Sequence, residues 1–509
     1  MKNETVIILD FGGQYKQLIA RRVREQNVYS VILPCDASIE TIKAYNPIGI
    51  IFTGGPNAVY MPDSPMCSAQ IYLLGIPMLG ICYGMQLMCH MLGGKVESCV
   101  SSEYGQTQLE LKNTGCPIFK ELSGSQTVLM SHTDMVTKLP EGFISAANTA
   151  SCLNAAVYDE KRSFYGVQFH PEVEETKRGK EILHNFLYEV CHASGDYSMD
   201  DYLKTTVDEV RAKIGNEKVI LGLSGGVDSS VCAAILSKAI GEQLICIFVD
   251  HGFMRKNEGD EIESVFSKRD LKFVRVDASE RFLSAISGIS DPEKKRKTIG
   301  RLFVEVFEEQ ASKFNDAKFL AQGTIYPDVI ESGANHTATI KSHHNVGGLP
   351  EHTRFSGIVE PLRGLFKDEV RNLGRLLGLP DFLVNRQPFP GPGLAIRIIG
   401  EITREKLDIL RDADAIFREE MKRSRVKASQ YFAVLTDLKS VGVMGDFRTY
   451  DYTVALRAVK TNDFMTCEYA PLSHKLLKKV SSRITNEVKG VNRIVYDITG
   501  KPPATIEWE

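Results

Sequence analysis

The chain has 509 residues, 43% hydrophobic and 25% charged, with a formal net charge of −3, the make-up of an ordinary globular protein of about two to four domains. That charge speaks against a general nucleic-acid or membrane-surface binder, and no apolar run reaches the roughly 18 residues of a membrane helix. Eleven cysteines without C-x-x-C pairs or Cys/His metal spacing, behind a start that lacks a signal-peptide layout, place the chain in the reduced cytoplasm.

From the N-terminus to about residue 192, strand-like and helix-like segments alternate. TVIILDFG, SVILPC, GIIFTGG and IPMLGIC are short apolar runs of the kind that fill buried parallel strands. GGQYKQLIARRVREQN between them is helical. QTQLELK, TVLMSH, AAVYDE and SFYGVQFH form a mixed sheet, TKRGKEILHNFLYEVC a closing helix and ASGDYSMDDY a linker.

Within this part, LGICYGMQ puts Cys82 between a strand and a helix, with Gly80 and Gly84 flanking it as G-x-C-x-G. That is the cysteine form of a nucleophile elbow, in which the helix N-terminus favours a thiolate. The motif alone fits a packing cysteine as well as a nucleophile. SFYGVQFHPE supplies a base: the strand is expected to end at His170, with Glu172 two residues on and on the same side. FTGGP offers the Gly54 and Gly55 backbone N–H groups at a strand end, suited to an oxyanion or to a simple turn.

GICYGMQ, FTGGP and FHPE resemble the class I glutamine amidotransferases. The resemblance implies Cys82 as nucleophile, His170 as general base, Glu172 as its partner, and an oxyanion hole from the Gly55 and Tyr83 backbones. A cysteine protease would use the same chemistry, but usually without a second nucleotide-type domain.

A second alternation runs from about residue 200 to 380: DDYLKTTVDEVRAKIG helical, VILGLS a strand, SSVCAAILSKAIG a helix, then LICIFVD, LKFVRVDAS and KFLAQG as strands. Such βαβ runs build an open parallel sheet. At residues 224–230 the string SGGVDSS turns from strand to helix as a phosphate-binding loop does, yet it lacks the Lys of G-x-x-x-x-G-K-[ST]. It resembles the loop of the N-type ATP pyrophosphatases, which release pyrophosphate and adenylate an acceptor. That likeness implies a cradle from Ser224, Gly225, Gly226, Val227, Asp228, Ser229 and Ser230, with Asp228 as a ligand of the Mg2+ that accompanies ATP. Asp250 at the end of LICIFVD and Lys367 at the start of FKDEVRNLGRLLGLP are further ATP contacts on this reading. GTIYPDVIESG and SHHNVGGLP read as a mobile lid, and the adjacent His343 and His344 are not read as a zinc pair.

From RQPFPGPGLAIRIIG onward the strands lengthen, in YFAVLTDLKSVGVM and RTYDYTVALRAVKT, before the helix in KLLKKVSSRITNEVKG. These segments, the terminal KPPATIEWE and the order of the three parts resemble the GMP synthetase family over essentially the whole chain. The resemblance implies glutamine-dependent amination of xanthosine 5′-monophosphate (XMP) after adenylation by ATP, with no zinc, flavin or nicotinamide. It also implies a homodimer, and no nucleic-acid or membrane partner. Arg301, Arg386, Gln387, Lys501 and Glu507 are the candidate XMP contacts. Two other readings remain at this point: another amidotransferase-coupled ATP pyrophosphatase such as an NAD synthetase, and a non-catalytic nucleotide-binding regulator.

The fold class expected is therefore α/β. Residues 1–194 are the amidotransferase domain and 195–384 the ATP-pyrophosphatase domain, both with open, mostly parallel sheets. Residues 385–509 are a small α+β domain for dimerisation and XMP binding.

Overall fold

The structure is a computed structural model that describes residues 4–112, 115–331, 355–461 and 466–509. His343, His344 and most of the expected lid lie outside the described residues. The chain divides into two compact units, Met1–Tyr202 and Leu203–Glu509.

The first unit is built on a nine-stranded sheet in the order β2-β1-β3-β4-β9-β8-β7-β5-β6. Its strands are β1 Thr5–Asp10, β2 Tyr29–Pro34, β3 Gly49–Phe52, β4 Met78–Ile81, β5 Lys95–Leu111, β6 Ser125–Lys138, β7 Ile144–Asn148, β8 Ala156–Asp159 and β9 Phe164–Val167. β2, β1, β3, β4 and β9 run parallel; β9, β8, β7, β5 and β6 pair antiparallel. The apolar runs TVIIL, GIIF, MLGI and FYGV are buried along their length, as strands covered on both faces must be.

Two local expectations differ from what is found. β9 stops at Val167, so His170 stands in the loop beyond the strand. The residues expected as a linker pack on this unit: Tyr197 is buried, lies 5.3 Å from the Tyr29 ring and donates its N–H to Asn27 O. An apolar body outweighed the Ser-Gly-Asp turn signal before it.

The second unit holds a fully parallel sheet in the order β12-β11-β10-β13-β14. Its strands are β10 Lys218–Gly222, β11 Leu244–Asp250, β12 Lys272–Asp277, β13 Ala317–Ala321 and β14 Gly357–Val359. Strand order reverses between β10 and β13, and the crevice beyond the carboxyl ends at such a reversal is where open α/β sheets bind ligands. SGGVDSS follows β10 directly.

The same unit carries a smaller sheet of β15 Gln430–Met444, β16 Phe447–Lys460, β17 Glu468–Tyr469 and β18 Val491–Asp497. β15 and β16 form a long antiparallel hairpin, and β18 lies parallel to β16. One apolar core runs from Ile220 and Ile247 beneath the parallel sheet to Leu435 and Leu456 in the smaller one. Among the described residues no helix is long and apolar enough to cross a membrane.

Candidate active sites

Cys82 sits between β4 and the helix Tyr83–Met91, with φ 52° and ψ −108°, a conformation that costs a non-glycine residue on the order of 1–3 kcal/mol. The turn is held by its neighbours. A Cβ on Gly80 would lie 2.5 Å from Met85 N, and one on Gly84 2.6 Å from Phe52 O. The Cys82 N–H donates to Val167 O at 2.8 Å, tying the elbow to the end of β9 and so to the loop that carries His170.

His170 Nδ1 and Glu172 Oε1 are 2.8 Å apart, and His170 also hydrogen-bonds with Cys82. Burial pushes the imidazole toward its neutral form, but the Glu172 charge and the Cys82 contact outweigh it and raise the pKa from 6.5 to about 10. Cys82, His170 and Glu172 are all buried. The loop is braced from outside by Arg22, whose Nε donates to Glu172 O at 2.9 Å, and by Thr176, whose hydroxyl donates to His170 O at 2.6 Å.

Gly55 packs edge to edge with Tyr83: a Cβ there would lie 2.9 Å from the Tyr83 ring and from Phe11 O. Gly54 faces His170 Cε1 and Cys82 Cβ. The two expected oxyanion donors thus flank the nucleophile elbow. A cavity of about 810 Å³ opens over it, lined among others by Gly55, Cys82, Tyr83, Gln86, Ser131 and Asp134, ample for an amino-acid-sized ligand.

In the second unit the helix Val227–Ile240 starts after Gly226 with no side-chain cap, so its first N–H groups are free to face an anion. Gly225 has φ +74°. Ser224 Oγ lies 3.0 Å from Ser229 Oγ and accepts from Gly226 N at 3.3 Å. Ser230 differs from the other serines: its hydroxyl is buried and makes no hydrogen bond.

Lys367, the first residue of the helix Lys367–Leu376, places Nζ 2.8 and 2.7 Å from the two Asp228 oxygens, across 139 positions of sequence. Asp250 does lie at the end of β11, but its carboxylate is held by Arg275 at 2.8 Å and by Gly252 N–H at 3.1 Å.

The candidate XMP contacts divide. Arg386 is partly buried and donates to Gly225 O while pairing with Glu258; desolvation and the charge of Arg255 lower its pKa to about 9. Gln387 Oε1 accepts from Tyr431 N at 2.7 Å. Glu507 takes two bonds from Arg397, at 3.0 and 2.7 Å, and one from Gln430 at 2.9 Å. The Phe389 ring lies 5.5 Å from the Arg386 guanidinium and 5.2 Å from that of Arg397, so these residues form one neighbourhood leading away from the 224–230 loop. Lys501 pairs through its backbone with Cys467. Arg301 forms an ion pair with Glu305 one turn along an exposed helix face.

Three models of known families match the chain: Glutamine amidotransferase class-I over residues 7–190, NAD synthase over 198–299 and GMP synthase C terminal domain over 419–508. The glutamine-hydrolysing GMP synthase of Treponema denticola is 60% identical over 508 residues, covering 99% of this chain and 97% of that one. That of Acetivibrio thermocellus is 58% identical over 512 residues and covers both chains completely.

The chain belongs to the glutamine-hydrolysing GMP synthases.

As a GMP synthase of this kind the protein is an enzyme, a ligase of purine biosynthesis with an amidotransferase part and an ATP-pyrophosphatase part. Full-length identity to GMP synthases removes the NAD synthetase and non-catalytic readings. The first sheet belongs to the amidotransferase match and the 224–230 loop to the NAD synthase match. Reading the sequence left out Gln86 and Gln168 near Cys82, Arg275 on Asp250, and Glu258 on Arg386. Gln86 and Gln168 had a local signal, since they stand four residues after Cys82 and two before His170. Arg275 and Glu258 had none.

Proposed function

We propose that this GMP synthase divides its reaction between the two sites as follows. At the first, the Cys82 thiolate attacks the side-chain carboxamide carbon of glutamine. The Gly55 and Tyr83 N–H groups take the developing oxyanion, and the His170 imidazolium protonates the departing ammonia. Glu172 holds the imidazole in place and offsets its charge. Water then cleaves the thioester, releasing glutamate.

At the second site the 224–230 loop and Lys367 hold the β- and γ-phosphates of ATP while the XMP O2 attacks the α-phosphorus. Pyrophosphate leaves and O2 becomes an adenylate ester. Ammonia then attacks C2 and expels AMP, leaving GMP. Xanthine O2 is a poor leaving group until it carries AMP, so adenylation must come first. The Asp228 carboxylate is an oxygen donor of the type Mg2+ prefers, and it stands beside the uncapped helix N-terminus where the phosphates bind. The cation supplies charge neutralisation of the phosphates.

XMP is read as lying beyond the loop, where Arg386, Gln387 and the tail around Lys501 and Glu507 offer cations and purine-edge partners. Arg397 already engages the Glu507 carboxylate, which points to a latch that holds the tail in place. We further infer a homodimer in the cytoplasm, joined through the β15–β16 hairpin, where Val443 and Phe447 are 73% and 77% exposed beside exposed Leu438, Val441 and Tyr450.

The observation that carries the synthetase reading is the loop at the strand-order reversal, closed by the Asp228–Lys367 pair. Its test is isotopic. With XMP labelled by 18O at O2, adenylation moves the label into AMP. Label in orthophosphate, or label released as water, would show a different activation.

A further inference from the structure

The Cys82 sulfur has a neighbour that the scheme above does not use. Gln168 Nε2 lies 3.6 Å from Cys82 Sγ, and the Gln168 side chain is fully buried. Which end of a carboxamide faces a sulfur is decided by what its other end must do, and here that is determined several residues away.

The constraint starts at the Asp134 main-chain carbonyl, which can only accept. Gln86 therefore turns Nε2 toward it, at 2.7 Å. The second N–H of the same nitrogen meets Gln168 Oε1 at 3.1 Å. With its oxygen taken, Gln168 presents Nε2 to the sulfur. The Asp134 carbonyl is itself held, because His132 Nδ1 lies 3.0 Å from it and His132 Nε2 lies 3.0 Å from Glu103 Oε2. Thr149 donates to Glu103 Oε1 at 2.6 Å. Gln86, His132, Glu103 and Thr149 are all buried, so water does not substitute for a broken link, and each bond fixes the direction of the next.

We propose that Gln168 is a catalytic residue of the glutaminase: its carboxamide N–H donates to the Cys82 thiolate, and the chain Gln86–Asp134 carbonyl–His132–Glu103 keeps the amide turned that way. Gln86, His132 and Glu103 are positioning residues. The donor serves twice. It stabilises the anionic sulfur before the S–C bond forms; the tetrahedral intermediate then collapses, the C–N bond breaks and ammonia leaves with a proton from His170. It does so again when water attacks the thioester carbonyl and the S–C bonding pair returns to sulfur. In the neutral thiol the sulfur faces Ser131 O at 3.8 Å, an acceptor for S–H, whereas the amide N–H, like the His170 imidazolium, is a donor suited to the charged form.

The proposal rests on Cys82 being the nucleophile, and the experiment separates the two. Glutamine hydrolysis and the rate of Cys82 alkylation by iodoacetamide are measured in the full chain and in Gln168→Leu, Gln168→Met, Gln86→Leu, the Gln86→Leu/Gln168→Leu double variant and Cys82→Ala. Thermal melting identifies the folded variants, and the flexible Met keeps the Gln168 volume if Leu does not fold. Loss of a hydrogen bond to a charged group is expected to lower kcat and the alkylation rate by about tenfold to a hundredfold. The KM for glutamine should stay within about twofold in the Gln168 variants, a split that simple loosening of the cavity would not produce. Because Gln86 reaches the sulfur through Gln168, the double variant should alkylate no more slowly than Gln168→Leu alone. Unchanged kcat and alkylation in folded Gln168 variants, with Cys82→Ala inactive, would overturn the proposal and leave the nucleophile standing. Additive losses in the double variant would overturn the chain, and an active Cys82→Ala protein would remove the premise itself.

Discussion

Cys82 and His170 show how much of a site's chemistry one residue can carry. The strained φ of 52° holds the Cys82 thiol at the mouth of a helix, and nine other described cysteines lack that setting; burial pushes the Cys89 thiol, for example, up to about 12 and raises that of Cys191 as well. Replacing Cys82 by Ala should abolish glutamine-dependent GMP formation and leave ammonium-driven formation near the parent rate, measured at mildly alkaline pH where unprotonated ammonia is abundant. Loss of both activities in a folded variant would contradict two separable sites. The His170–Glu172 pair makes a pH prediction of definite sign. The folded pKa of His170 is raised from 6.5 to about 10 because the Glu172 charge and the Cys82 contact outweigh burial. The pair's stabilisation is therefore fully present below about pH 6.5 and is lost as pH rises through about 10. Glu172→Gln should lower urea stability clearly at pH 6.5 and hardly at pH 10. It should also draw the alkaline limb of glutamine hydrolysis to lower pH. An equal stability loss at both pH values would show that packing, not charge, is what Glu172 supplies.

At the scale of elements, both sites use one device, a buried parallel strand that turns sharply into a helix. β4 leads through Cys82 into Tyr83–Met91, and β10 leads through SGGVDSS into Val227–Ile240. In each, backbone N–H groups at an uncapped helix start are open to the developing or standing negative charge of the proposed reactions. The second turn depends on Gly225, where φ is +74° and a Cβ would lie 2.2 Å from Ile262 Cδ1 and 3.2 Å from Arg386 Nη1. The isoleucine tip can move, but the backbone conformation costs an alanine on the order of 1–2 kcal/mol. Gly225→Ala is thus expected to lower ammonium-driven GMP formation by about tenfold or more, chiefly through the ATP requirement, while glutamine hydrolysis persists. Kinetics with ATP varied would check this, and an unchanged ATP requirement would mean that the loop does not grip the phosphates.

Across the whole molecule, the exposed apolar side chains of the β15–β16 hairpin call for cover. Val443→Glu with Phe447→Glu should leave the melting temperature of the protomer within a few degrees, as surface changes do. The same pair should shift sedimentation from dimer toward monomer, and an unaltered dimer would place the interface elsewhere. Fold class, the order of the parts and the two strand-to-helix turns were readable in the sequence, because their physics is contiguous. Apolar runs become buried strands, G-x-C-x-G makes an elbow, and a Gly-rich turn before a helix makes an anion cradle, all within a few residues. The reach of Lys367 to Asp228, of Arg386 to the Gly225 carbonyl and of Arg275 to Asp250 was not so readable. Nor was the turn of the Gln168 amide toward sulfur, which depends on a carbonyl 48 positions from Gln86. Those pairings follow from which strands become neighbours. Strand order is a property of the whole packed sheet, so only the tertiary structure decided which charges meet, which carboxylates are already taken, and which polar atoms face the reacting thiol.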